Sequence, residues 1–413
     1  MLSYLTDESY IHVQNNLEFH IKIKDNNMRS FQFQTVPHII SGIGRIQQLK
    51  EVLQDFSIQR ILLVTDTTLV QSGIHEPILQ QLEDGHFHTT IFQDVEADPK
   101  EQQILEAIAY AQDHHIEAVI GFGGGSVMDV AKLIALLAHP QQTQQLTDIY
   151  GVHQAKKPRL PLVLIPTTAG TGAEVTPISI VTTSDTQKTG VVSAVLFADV
   201  TILDASFCLG LPQHITAATG IDAMVHAIEA YTSKLKKNPY SDLLAKSALK
   251  LLNQNLPKVL KDGQDIEARQ AMLEGAMLAG QAFANAPVAA VHALAYPLGG
   301  HFHLSHGHAN AIVLTEVLKF NTPTTKQLYA ELMTWLDPKS KGCFDGLTDL
   351  FIDHFDNHLQ RSGLILKLKE LNIPEDALNR LADDAILQTR LLQNNPRPLQ
   401  HKDALQIYQA IYQ

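Results

Sequence analysis

The chain has 413 residues, 45% hydrophobic and 18% charged, which supports a buried core spread over two domains and excludes intrinsic disorder. Its 31 basic and 43 acidic residues leave a net charge of -12, which argues against nucleic acid or an anionic membrane as the main partner. Two cysteines, Cys208 and Cys343, in no paired motif exclude a disulfide framework or a cysteine zinc site.

The opening "MLSYLTDESY" has acidic residues where a secretory signal carries positive charge. No window approaches the roughly 18 apolar residues of a spanning helix, so a soluble, cytoplasmic protein is expected. Residues 1–30 read as an extension, in which "LEFHIKIK" alternates like a strand and "DNN" marks a turn before "FQFQTV". From about residue 58, "RILLVTD" (60–66), "TTIFQDV" (89–95), "EAVIGFGGGS" (117–126), "LPLVLIPTT" (160–168) and "VTILDASF" (200–207) read as strands, with "EQQILEAIAYAQDHH" (101–115) as a helix. Strands alternating with helices predict parallel pairing, because parallel neighbours need long crossovers. The Gln-rich "PQQTQQL" (140–146) reads as a surface loop.

Beyond "GLPQH" the pattern becomes helical and rich in Ala and Leu, as in "ITAATGIDAMVHAIEAYTS", "SDLLAKSALKLLNQNL", "IEARQAMLEGAMLAGQAFAN", "ANAIVLTEVLKFN", "IPEDALNRLADDAILQTR" and "KDALQIYQAIYQ". The expected organisation is an α/β domain with a parallel, Rossmann-like sheet over 31–210 and an all-helical domain over 211–413.

"GFGGGSVMDVAK" (121–132) leaves a strand and opens a helix. Gly123, Gly124 and Gly125 let backbone amides approach a ligand, and the helix start suits a pyrophosphate. Ser126 is the expected N-cap, with Asp129 completing a capping-box pair. The spacing is neither G-x-G-x-x-G nor a Walker loop. "PTTAGTGAEVT" (166–176) follows another strand with Thr167, Thr168, Thr171 and Thr176, hydroxyls suited to a cofactor crevice or to capping the next element. Asp66 suits the ribose hydroxyls of an adenosine, and equally an N-cap.

In "GIDAMVHAIEAY", Asp222 and His226 lie four apart, on one helical face, where a carboxylate and an imidazole can chelate one cation. The segment "VHALAYPLGGHFHLSHGHANAI" adds His292, His301, His303, His306 and His308. An imidazole in the Ala-rich run around His292 is costly to bury unpaired, and His306 precedes a helix with Gly307 allowing close approach. A carboxylate with imidazoles suits Fe²⁺ or Zn²⁺ better than Mg²⁺ or Ca²⁺. Spacing alone does not choose among the five histidines.

With "GFGGGSVMDVAK", "PTTAGTGAEVTPISIV", "GIDAMVHAIEAYTS" and "VHALAYPLGGHFHLSHGHANAI" in this order and separation, the chain resembles the iron-containing (group III) alcohol dehydrogenases from about residue 31 onward. The resemblance implies a dehydroquinate synthase-like architecture, a small alcohol or aldehyde as substrate, NAD and Fe²⁺ (or Zn²⁺) as cofactors, and a homodimer or larger homo-oligomer. It selects Asp222, His226, His292 and His306 as metal ligands and leaves His301, His303 and His308 outside the ligand set. It carries cofactor roles onto Gly123, Gly124, Gly125, Ser126, Asp129, Thr167, Thr168, Thr176 and Lys188, and NAD preference onto Asp66. Many members have a further histidine four positions after the third ligand. Here Tyr296 stands there and is read as shaping the pocket, and Ser305 stands where proline is common.

Competing readings are a glycerol or diol dehydrogenase, a cyclase resembling dehydroquinate synthase, and a non-enzymatic metal-binding protein using its 20 histidines. A phosphorylated polycarboxylate calls for Lys and Arg near the ligands. "AFANAPVAAVHALAYPLGG" offers Ala, Val, Leu and Tyr, which favours a small, largely apolar alcohol.

Overall fold

The buried apolar runs of the first half pair as strands, and the amphipathic stretches between them cover both faces of the resulting sheet. The computed structural model describes residues 30–183 and 188–413, so the strand expected at "LEFHIKIK" lies outside the described residues. The chain divides at residue 32, and the architecture below is that of residues 33–413.

In chain order the first half contains β1 (His38–Ser41), α1 (Leu49–Gln54), β2 (Arg60–Val64), α2 (Thr67–Gln71), α3 (Glu76–Asp84), β3 (His88–Phe92), α4 (Glu101–Asp113), β4 (Ala118–Gly123) and α5 (Gly125–Leu137). It continues with β5 (Gly151–Val152), β6 (Leu162–Pro166), β7 (Ile178–Thr182), β8 (Lys188–Val192) and β9 (Val200–Leu203). Six strands form one parallel sheet in the order β1-β9-β6-β4-β2-β3. Side chains alternate between its faces: Leu62, Val64, Val119 and Leu164 pack under α4 and α5, while Ile61, Leu63, Ile120 and Ile165 pack under α1 and α3.

β3 and β4 lie on opposite sides of β2, so the connections leaving β2 and β4 cover opposite faces. Such a switch point opens a crevice at the carboxyl ends of the two strands, where Asp66 and the glycine loop stand. β5, β8 and β7 form a separate three-stranded sheet in which β7 and β8 are antiparallel, an element the expectation of purely parallel pairing did not contain.

The second half is helical: α6 (Gln213–Thr232), α7 (Pro239–Lys261), α8 (Ile266–Asn285), α9 (Ala290–Phe302), α10 (His306–Leu336), α11 (Phe344–Arg361), α12 (Ala377–Ile386), α13 (Thr389–Leu392) and α14 (His401–Tyr412). α6 is buried almost all round from Thr216 to Thr232 and packs against α7, α8 and α10, as expected of a helix apolar on every face. Among the described residues no helix is long and apolar enough to cross a membrane.

Two local expectations need correction. Gly124, not Ser126, occupies the N-cap of α5, and the capping-box pair does not form. Ser126 lies inside the helix, where its Oγ accepts from the Asp98 amide at 3.3 Å, and the Asp129 carboxylate accepts from the Ile180 amide at 2.9 Å. At Gly125, the first residue of α5, the loop passes so close to Thr171 that a Cβ would lie 2.9 Å from its Cγ2. His306 is the first residue of α10 rather than a residue before it.

Candidate active site

Three helices bring one carboxylate and three imidazoles together. Asp222 and His226 sit one turn apart on α6, with His226 Nε2 3.8 Å from Asp222 Oδ1. The Nε2 atoms of His292 on α9 and His306 at the start of α10 lie 3.9 and 3.6 Å from the same oxygen. All four donor atoms fall within 4.8 Å of one another. These separations are long for hydrogen bonds and near the spacing of ligands around one ion with bonds of about 2.1 Å. His301, His303 and His308 are turned to other tasks: His301 Nε2 meets Asp384 at 2.5 Å, His308 Nε2 meets the Ile365 carbonyl at 2.7 Å, and His303 caps α9 with φ 55°.

Close packing sets the geometry. A Cβ on Gly307 would lie 2.3 Å from the Ala218 carbonyl oxygen, so only glycine lets α10 approach α6 one turn from Asp222. Gly307→Ala is expected to lower stability by about 1–3 kcal/mol, read from denaturant melts; an unchanged midpoint would mean the two helices are not held this closely. Phe283 stacks on His226 with ring centroids 4.4 Å apart, and His226 on His292 at 4.8 Å.

Two supporting residues were not anticipated. Glu229, one turn beyond His226, accepts from His292 Nδ1 at 2.6 Å and from the Ala289 and Val291 amides at 3.0 and 2.7 Å. That bond places the proton of His292 on Nδ1 and leaves the Nε2 lone pair facing Asp222. Asn310 Nδ2 donates to Asp222 Oδ1 at 2.6 Å.

Burial lowers the His226 pKa to about 3, and desolvation also lowers that of His306. Burial alone would raise the Asp222 carboxyl, but His226, His306, His292 and the Asn310 hydrogen bond outweigh it and hold Asp222 below its ordinary value. The result is an anion ringed by imidazole lone pairs with one amide donor among them. An acceptor-rich, negatively charged cluster this deeply buried fits a divalent cation.

The three imidazoles of the cluster line a cavity of about 490 Å³. His226, Phe283, His292, Tyr296 and His306 line it together with Gly125, Ser126, Asp129, Thr171, Thr176 and Lys188. Lys188 already meets Asp98 at 2.5 Å. Burial raises Asp129 to about 6 despite Lys132, a fully buried lysine below it whose Nζ donates to the Ile178 carbonyl at 2.7 Å.

Asp66, Gly123, Gly124, Thr167 and Thr168 are not part of that lining. Asp66 caps α2 by accepting from the Leu69 amide at 2.9 Å. Thr167 is buried, its amide bonded to the Gly123 carbonyl at 3.0 Å, and Thr168 packs over Gly124. Tyr296 reaches the site as a wall, its ring 5.9 Å from that of His306 and its hydroxyl pKa raised by burial.

Fold and site together define a class: a parallel α/β half joined to a helical, metal-competent half, the dehydroquinate synthase-like architecture. The sequence narrows it. Residues 37–205 match the family described as "Iron-containing alcohol dehydrogenase", and residues 216–412 match its C-terminal part, "Fe-containing alcohol dehydrogenase family, C-terminal". The "Long-chain-alcohol dehydrogenase 1" of Geobacillus thermodenitrificans is 37% identical, covering 92% of this chain and 96% of that one. The "NAD-dependent methanol dehydrogenase" of Bacillus methanolicus is 31% identical, covering 90% and 97%. Among solved structures, a 1,3-propanediol oxidoreductase superposes with a TM-score of 0.89 at 30% identity, covering 93% of this chain and 100% of that one. The chain belongs to the iron-containing alcohol dehydrogenase family.

Proposed function

We propose that the protein interconverts a small primary alcohol and its aldehyde with NAD(H), using one divalent ion, Fe²⁺ or Zn²⁺, held by Asp222, His226, His292 and His306. The observation that carries this reading is the convergence of one carboxylate and three imidazoles beside a cavity that Gly125 and Ser126 of the glycine loop also line. A relative of similar length is named for NAD-dependent methanol oxidation, which supports the coenzyme. An ion in this site supplies Lewis acidity toward the alcohol or carbonyl oxygen.

The chain's own residues do the rest. Glu229 fixes the His292 tautomer, so a lone pair rather than an N–H faces the cluster. Phe283, Pro287 and Val288 form an apolar wall that limits water beside it. The amide groups at the start of α5, around Gly125 and Ser126, face the cleft and suit the coenzyme pyrophosphate. Asp66 stands at the carboxyl end of β2, beside the switch point, where a carboxylate favours ribose hydroxyls and disfavours a 2′-phosphate.

The test is steady-state turnover of short alcohols and aldehydes by protein loaded with each metal, with both coenzymes. NAD is expected to be preferred. Asp66→Ala is expected to shift the NADP-to-NAD ratio of kcat/KM upward by about tenfold while the lost N-cap costs about 1 kcal/mol of stability. Equal use of both coenzymes by the unmodified protein would sink the coenzyme assignment. No turnover with any loaded metal would sink the dehydrogenase.

A further inference from the structure

The apolar pocket expected from the segment around His292 is only one wall of the cavity. Arg390, on the short helix α13, also lines it, beside Tyr296 and His306. Of the charged groups acting on the Tyr296 hydroxyl, Arg390 is the strongest, ahead of Asp222. Its Nη2 lies 3.9 Å from the position a Cβ would take on Gly190, so the guanidinium is laid against β8 where glycine leaves it room.

The other charges of the cavity are committed except that of Lys236, which is exposed. Lys188 pairs with Asp98, Asp129 lies 3.6 Å from Lys132, and Asp222 belongs to the imidazole cluster. Arg159, by contrast with Arg390, holds Asp199 through two hydrogen bonds. Among the described residues no acceptor meets the Arg390 guanidinium, and its exposed side chain lines the cavity that Tyr296 and His306 also line. A guanidinium beside an apolar wall suits a ligand with a short aliphatic stem and a planar or tetrahedral anionic head.

We propose that Arg390 is a specificity-determining residue that binds an anionic group at the far end of the substrate, so that the preferred substrates are short aldehydes or alcohols ending in a carboxylate or sulfonate. The inference rests on the dehydrogenase reading above. The coenzyme pyrophosphate is the other anion that enters this cleft, and the KM for NADH distinguishes the two in the experiment below.

The experiment uses metal-loaded enzyme with NADH and compares 4-oxobutanoate and sulfoacetaldehyde with butanal, for the unmodified chain, Arg390→Gln and Arg390→Lys. At least one anionic aldehyde is expected to exceed butanal in kcat/KM. Arg390→Gln is expected to reduce that substrate about 10- to 100-fold more than butanal, mainly through KM, with partial recovery in Arg390→Lys. Added salt should weaken the anionic substrate in the unmodified chain and not in Arg390→Gln. Butanal outrunning both anions, equal losses on all three substrates, or a rise confined to the KM for NADH would overturn the proposal. Absence of turnover on all three would remove the dehydrogenase reading and this inference together.

Discussion

Asp222→Asn is expected to abolish tight retention of the ion and to cut alcohol oxidation by more than the roughly 100-fold that outer-shell changes cost. Asp222 is the single carboxylate among the four donors, so its loss leaves a cation with no directly bound counter-charge, Glu229 standing behind His292. The stability effect differs in size between the two states of the site. Without metal, the contacts that hold Asp222 below its ordinary pKa outweigh its desolvation, and the variant should melt somewhat earlier than the unmodified chain. With saturating metal, the unmodified chain gains about 2.7 kcal/mol at a hundredfold excess over Kd, and the variant gains none. Melting curves with and without Zn²⁺ measure both. Equal metal-induced shifts in the two proteins would remove Asp222 from the ligand set.

The same electrostatics fixes the direction of the pH dependence. The His226 pKa is near 3 in the folded protein and near 6.5 when unfolded, so below about 6.5 the unfolded chain takes up a proton that the folded one refuses. His226 therefore destabilises the metal-free protein progressively as pH falls from about 6.5 toward 3.

The strands most readable in the sequence were those buried on both faces. "RILLV", "AVIGFG", "LVLIP" and "VTIL" are near-continuous apolar runs because helices cover both sides of a parallel sheet. β7 and β8 escaped because "ISIVT" and "KTGVV" are not continuous apolar runs: they are only partly buried, and the β-branched alternation of "ISIVT" was the signal available. Asp222 and His226 were legible as a pair because they share one helix. Choosing His292 and His306 was not a matter of spacing: α9 ends at Phe302, His303 turns left-handed, and helical periodicity does not run between the two ligands. Only the family resemblance selected them. Glu229 and Asn310 did leave a signal, lying three residues after His226 and four after His306, each on the face of its helix that carries the ligand. Lys132 and Arg390 left none, since their places depend on which distant segments close over them.

Replacing Glu229 should be the most informative change outside the ligand set. α9 has Ala289 at its N-cap and no side-chain cap of its own, and the Glu229 carboxylate supplies the missing acceptor for the Ala289 and Val291 amides. One oxygen also holds His292 Nδ1, so the group that starts the helix also orients the imidazole. Glu229→Ala leaves three buried donors unpaired and is expected to cost about 3–5 kcal/mol, enough to prevent folding in a marginal background. Glu229→Gln keeps the volume and one acceptor oxygen but turns an amide N–H toward donors that need an acceptor. It should fold, and its affinity for Zn²⁺, measured against a competing chelator, should fall about 10- to 100-fold. Nitrogen-15 NMR of the His292 ring in the zinc-free protein separates tautomer control from mere packing. The unmodified protein should show the proton on Nδ1, and Glu229→Gln a mixture of tautomers. Unaltered zinc affinity together with an unaltered tautomer would reduce Glu229 to a helix cap and leave His292 oriented by its stacking on His226 alone.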